Sequence, residues 1–174
     1  MRIIASITLM LCLLLSACKH KDVVYKEVES SKNLFTMQVP DYMAASNMLP
    51  GKATLQYSND SVKLYLLAFD TTREGLNETT LEAFYDSTVS RPSVLEGATM
   101  DPRKFSMVSG DSAYITALHG SLQGVLWVYK MEIIATPTRF FYIQACTRED
   151  KEKELNEVID KMLQSFHDVN HVKV

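Results

Sequence analysis

Three cysteines, four histidines and a handful of carboxylates are the residues of this 174-residue chain whose types and spacing could do chemistry. Cys12 lies inside an N-terminal apolar run and Cys18 stands where that run stops, in LLSACKHK. Cys146 is then the one thiol of the later chain, in the apolar, strand-like FFYIQACT. There it reads as a packed, inert side chain rather than a nucleophile. His20 lies in a polar stretch and His119 at a strand end. His167 and His171 have the one-turn spacing of a two-histidine metal clamp, but the intervening DVN falls where a helix should fray. Ser109, Asp111 and His119 have the residue types of a hydrolytic triad. SGDS is turn composition, however, and neither serine stands on a nucleophile elbow. Glu74 and Glu78 are an unremarkable carboxylate pair. HExxH, CxxC, GxSxG and a glycine-rich phosphate loop do not occur. The residues therefore assign no catalytic, metal-binding or cofactor-binding group.

The N-terminus is more informative. Arg2 supplies a positive charge, residues 3–17 are apolar or small, and charge returns with Lys19, Lys21 and Asp22. The run is shorter than the roughly 20 residues a membrane-spanning helix needs, and the pattern is that of an export signal. Leu15, Ser16, Ala17 and Cys18 resemble the lipobox of bacterial lipoproteins. The resemblance implies cleavage before Cys18, diacylglycerol on its sulfur and an acyl chain such as palmitate on the new N-terminus. One chain binds a bilayer marginally, whereas two or three hold almost permanently. It also implies a lipid-anchored place in the bacterial cell envelope, facing the periplasm or the surface. Lys19, where an Asp often retains enteric lipoproteins in the inner membrane, favours the outer membrane. DTT at 70, DST at 86 and DSA at 111 resemble the O-glycosylation acceptor pattern of one group of Gram-negative envelope proteins. That implies Thr71, Ser87 and Ser112 as acceptors, with Ser112, read in a hairpin turn, the best exposed.

Removing 17 of 174 residues leaves 157, enough for one compact domain with a core. Arg2 leaves with them, so 17 basic residues face 21 acidic ones. Such mild acidity offers no field for a phosphate backbone, and nucleic acid is excluded as a partner. Apolar content of 47% argues against disorder. With Cys18 lipidated no intramolecular disulfide can form.

The organisation expected is a signal peptide at 1–17, the lipidated cysteine and a polar tether at 18–31, and one domain at 32–174. FTMQVP alternates as a half-buried strand closed by Pro40, and 41–52 reads as an irregular connection. ATLQYSND and SVKLYLLAFD form a hairpin around Asn59 and Asp60. A first helix starts with Thr79 as cap and Glu82 at capping-box spacing. Its stripe is Leu81, Phe84, Tyr85 and Thr88, and Pro92 ends it. A loop with a brief strand follows. A meander then joins strands at Gly110–Asp111 and near Pro137. Trp127 lies in the most hydrophobic strand, whose two faces are both largely apolar, as a central strand requires. Trp127, Tyr129, Phe140, Phe141 and Tyr142 read as core and cross-strand pairs rather than a ligand groove. The last helix is expected to be capped by Thr147. It buries Leu155, Val158, Ile159, Met162 and Phe166, and carries Glu149–Lys153 and Glu157–Lys161 pairs. Phe166 is the expected packing partner of Trp127. Helices covering a mostly antiparallel sheet make an α+β sandwich.

This succession resembles the Mog1/PsbP-like fold, an α/β/α sandwich. The resemblance rests on FTMQVPDYM (35–43), LQYSNDSVKLYLLAF (55–69), GVLWVYKMEIIATPTRFFYIQACT (124–147) and EKELNEVIDKMLQSF (152–166). It implies a non-enzymatic interaction module without a cofactor. Photosystem subunits, a nuclear transport GTPase-binding protein and envelope lipoproteins share this shape more than any site. The function expected is a non-catalytic envelope lipoprotein, held at the membrane by its N-terminal lipid, acting as a protein-interaction or structural module for a protein partner. The alternative is a small-ligand-binding or hydrolytic envelope lipoprotein that uses a groove between sheet and helix.

Overall fold

The computed structural model describes residues 22–47, 52–76, 79–89 and 95–169. The signal peptide, Cys18, His20, Glu78, Pro92 and His171 lie outside the described residues. In chain order the elements are β1 (Tyr25–Glu29), β2 (Phe35–Pro40), β3 (Ala44–Ala45), β4 (Leu55–Asn59), β5 (Leu64–Thr72) and α1 (Leu81–Val89). They continue with β6 (Glu96–Met100), β7 (Lys104–Val108), β8 (Asp111–Leu122), β9 (Val125–Ala135), β10 (Arg139–Arg148), α2 (Glu149–Gln164) and β11 (His167–Asp168). The large sheet is antiparallel in the order β3-β4-β5-β10-β9-β8-β6, with β7 also on β8. A small sheet runs β1-β2-β11.

Strand alternation divides the large sheet into two apolar faces. One carries Leu64, Leu66, Ala68, Phe141, Ile143, Ala145 and Ile134, and is covered by α2 and the small sheet. Leu155, Val158, Ile159 and Met162 recur at helical spacing, which turns one stripe of α2 inward. Phe35, Phe141 and Phe166 meet at the centre with ring centroids 4.8–5.4 Å apart. The other face carries Met131, Ile133 and Tyr142, and is partly covered by α1 through Tyr85. Phe84 of α1 stacks on Phe140 at 4.3 Å.

Several local expectations shift by a residue or more. The polar stretch at 19–31 is not a tether throughout, because Tyr25–Glu29 form β1 and pair with β2. YKEVE buries only Val28, so ladder hydrogen bonds rather than an apolar pattern define this strand. Thr80 caps α1, its Oγ1 accepting from the Ala83 N–H at 3.1 Å, while the Thr79 hydroxyl turns back to the Leu76 carbonyl. Arg148, without a side-chain cap, precedes α2, because β10 runs through Thr147 into the helix. The ion pairs seen at the start of α2 are Arg148–Asp150 and Lys151–Glu154 rather than those expected. The β7–β8 turn is Ser109–Gly110, one residue earlier than expected. Both residues have positive φ (52° and 97°), which suits the right-handed twist of a two-residue hairpin. Trp127 and Phe166 do not pack together: Phe166 is in the α2-side core, while half-buried Trp127 lies on the opposite face against Tyr65 at 5.8 Å.

Candidate interaction site

The structure separates the residues that could have formed an active centre. Asp111 is buried at the start of β8 and His119 lies eight residues further along the same strand, a separation of about 26 Å at strand rise. The Ser109 hydroxyl donates to the Phe166 carbonyl, which ties the β7–β8 turn to the end of α2. His119 faces Asp101 instead, its Nε2 3.7 Å from Oδ1. His167 pairs with Thr36 at the edge of the small sheet. Burial pushes the Cys146 thiol up to about 12, which keeps it protonated and unreactive at neutral pH. Among the described residues no cluster of three metal-ligating side chains forms, and no helix is long and apolar enough to cross a membrane.

Of the three acceptor-like residues, Thr71 is exposed on β5 and Ser87 is exposed on α1, its hydroxyl donating to the Phe84 carbonyl. Ser112 is part of β8, half-buried beside Met107, because the turn closes before it. It is therefore not the best exposed of the three. Of the five aromatics, Phe140 and Phe141 are fully buried, while Trp127, Tyr129 and Tyr142 are half-buried on the α1 face.

Beside α1, a recess of about 350 Å³ is lined by Val89, Met100, Leu118, Met131 and Tyr142. The Tyr142 hydroxyl is engaged with Gln144, and among the described residues no nucleophile–base pair lines the recess. This groove can hold apolar matter.

What the fold does assemble is an apolar patch at an open sheet edge. Among the described residues β7 has a strand partner, β8, on one side only. Phe105 and Met107 point to the α1 face, 63% and 56% exposed, with Met100 of β6 nearby in sequence and also exposed. Phe105 meets the Tyr114 ring edge-on at 6.0 Å. Arg103 lies over Tyr114 at 4.8 Å and over Tyr85 at 5.4 Å, and pairs with Glu82 and Asp86 of α1. These contacts fix the approach to β7, so the two exposed side chains stand on a supported strand. An open edge offers backbone donors and acceptors to a further strand, and alternate apolar side chains select what it carries. Phe105 and Met107 were legible as alternating residues in KFSMV. The missing signal was that none of the described residues would cover them.

Two charge clusters lie inside the fold. Asp70, 3% exposed at its side chain, accepts from Lys32 and Arg139, which joins β5 and β10 to the segment between β1 and β2. Glu132 of β9 is 0% exposed and neither of its carboxylate oxygens has a hydrogen-bond partner. Burial, with the Asp160 charge second, pushes it up to about 7. Lys130, two residues away on the same face, gives its ammonium to Asp160 and Asn156 of α2.

No protein-family model matches the chain, and no curated protein matches it in sequence. Its shape is found among solved structures. LpqN, involved in cell envelope biogenesis of Mycobacterium tuberculosis, superposes with a TM-score of 0.60 at 12% identity, over 84% of this chain and 91% of its own. The cyanobacterial PsbP (CyanoP) of Synechocystis follows at 0.59 and 9% identity, over 86% and 95%. The Ran-binding protein Mog1p of Saccharomyces cerevisiae superposes at 0.54 and 12%, over 85% and 97%. The fold is therefore Mog1/PsbP-like, as the order of strands and helices implied.

Proposed function

We propose that the chain is a non-catalytic lipoprotein of the bacterial cell envelope, held by lipid on Cys18, that acts as a protein-interaction module. The observation that carries the interaction role is the open edge of β7 with Phe105 and Met107 exposed on one face. Contiguous exposed apolar side chains on an unpaired edge invite aggregation unless a partner covers them. The similarity to LpqN, involved in cell envelope biogenesis, and to the Ran-binding Mog1p supports the same class of role. The outer membrane is the proposed site of the anchor, from Lys19, and Thr71 and Ser87 are the better exposed of the proposed acceptors.

A photoreactive amino acid placed at 105, in cells that make the lipidated protein, is expected to give one discrete crosslinked species. Adding Met107→Lys should abolish it, and the same probe at the exposed Lys153 of α2 should give none. A discrete adduct at 153 with none at 105 contradicts the proposal.

A further inference from the structure

The β8–β9 hairpin ends in a turn formed by Gln123 and Gly124, both at positive φ (53° and 76°); it extends one residue beyond β6, whose Glu96 pairs with Ser121, and two beyond β10, whose Arg148 pairs with Trp127. One row of the sheet runs Leu64–Thr147–Val128–His119. Three residues beyond His119 the Leu122–Val125 pair closes the hairpin, about 10 Å further out at strand rise. Residues 120–129, GSLQGVLWVY, contain no charged side chain, in a chain that is 22% charged. Leu126 is 52% exposed, and Leu122 and Val125 are exposed beside it. A protruding hairpin tip that meets only water is ordinarily polar.

The chain leaves the fold at this same end. Asp22 and Val23 line a depression with Tyr42, Val62 of the β4–β5 turn and the stretch of α2 from Glu154 to Lys161. Both that turn and the start of α2 flank the Leu64–Thr147 row. Because Tyr25–Glu29 form β1, only residues 19–21 separate Cys18 from Asp22. Four residue steps span at most about 14 Å. Of nine large apolar residues that are exposed among the described ones, Leu122, Val125 and Leu126 flank the β8–β9 turn, while Tyr42, whose carbonyl accepts from Asn59, and Val24, whose carbonyl accepts from the Asp41 N–H, lie on the side of the β4–β5 turn. A lipid on Cys18 would therefore bring this end, rather than the β7 edge, against the bilayer.

We propose that the tip of the β8–β9 hairpin, Leu122, Val125 and Leu126 with Trp127 behind them, enters the interfacial layer of the membrane that holds Cys18. The inference rests on the proposed lipid anchor. An uncharged apolar tip backed by an indole suits that layer, where aromatic side chains are enriched and a second contact reinforces a lipid anchor. The contact fixes how the domain stands: the β7 edge is at the opposite end of β8, about 26 Å from Leu122 by the Phe105–Tyr114 register, and faces away from the lipid.

Trp127 is the chain's single tryptophan, so its emission reports this tip alone. The lipidated protein is reconstituted into phosphatidylethanolamine–phosphatidylglycerol vesicles with and without a lipid spin-labelled near the headgroup. The expected result is that Trp127 loses much of its emission to the spin label and becomes less accessible to aqueous iodide. Leu126→Asp and Val125→Asp, both at exposed positions, should float with the vesicles as the parent does but lose the quenching by lipid. Unaltered near-ultraviolet dichroism shows that each variant is folded. Flotation without lipid-borne quenching in the parent overturns the tip contact while leaving the anchor intact. Failure to float overturns both. Shielding of Trp127 in whole envelopes but not in protein-free vesicles assigns the tip to a protein and also overturns the proposal.

Discussion

Replacing Glu132 with glutamine is expected to stabilise the protein by about 3 kcal/mol at pH 8 and to leave it almost unchanged at pH 4. The Glu132 carboxyl is fully enclosed, lacks a hydrogen-bond partner and faces a helix that carries Asp160. These surroundings raise it from an ordinary 4.5 to about 7. Between those two values the folded protein keeps a proton that the unfolded chain has released. Stability therefore falls as pH rises through this window, and the full cost is present above it. Below pH 4.5 both states are protonated and the penalty vanishes. Lys130 does not relieve it, because its ammonium is already engaged by Asp160 and Asn156. Urea unfolding of parent and Glu132→Gln at both pH values measures the effect. An equal gain at pH 4 and pH 8 would show that size or shape, rather than charge, is responsible.

Phe166→Ala should cost about 3–5 kcal/mol, the usual range for a buried phenylalanine. Phe166 is 0% exposed, follows the last turn of α2 and contacts Phe35 and Phe141. Truncation leaves a cavity where the small sheet, the large sheet and the helix meet, so the three cannot close on it independently. Trp127→Ala should cost clearly less, although tryptophan is the larger residue, because its ring is half-buried and packs mainly on Tyr65. Thermal or urea denaturation of the two variants decides this. Equal losses would mean that Trp127 belongs to the core after all.

Trp127 also shows where the sequence stops being informative. The period-two pattern of β9 identifies both faces correctly, and Leu155, Val158, Ile159 and Met162 identify the stripe of α2. An apolar pattern cannot tell whether a given row of the sheet lies under a cover. α1 is nine residues long with only Tyr85 buried, so it covers part of the second face, and Leu122 and Val125 near the β8–β9 turn remain exposed there. β1 was missed for the opposite reason. Lys26, Glu27 and Glu29 carry no apolar signal, and the strand exists because β2 offers it a backbone edge. Thr79 and Thr80 are adjacent and chemically identical, so only helix geometry selects Thr80 as the cap. The β7 edge was visible as residues but not as a site, since exposure depends on strands that are distant in sequence.

The missed strand changes how function is placed. If Cys18 carries the proposed lipid, a tether from 18 to 31 would let the domain turn freely, whereas a fold that begins by Tyr25 would keep one end of the sandwich close to that lipid. The β7 edge proposed for a partner and the hairpin tip proposed for the membrane then lie at opposite ends of β8. One strand pair would carry both contacts.

Cys18 is where the proposed placement meets its most direct test. Cells are labelled with a fatty acid, and the mature chain is analysed by mass spectrometry beside a Cys18→Ser variant. The expected result is a chain that begins at lipid-modified Cys18 in the membrane fraction, with the variant unlabelled and either uncut or released. A Cys18→Ser protein that is still cut and still fractionates with membranes would contradict the anchor.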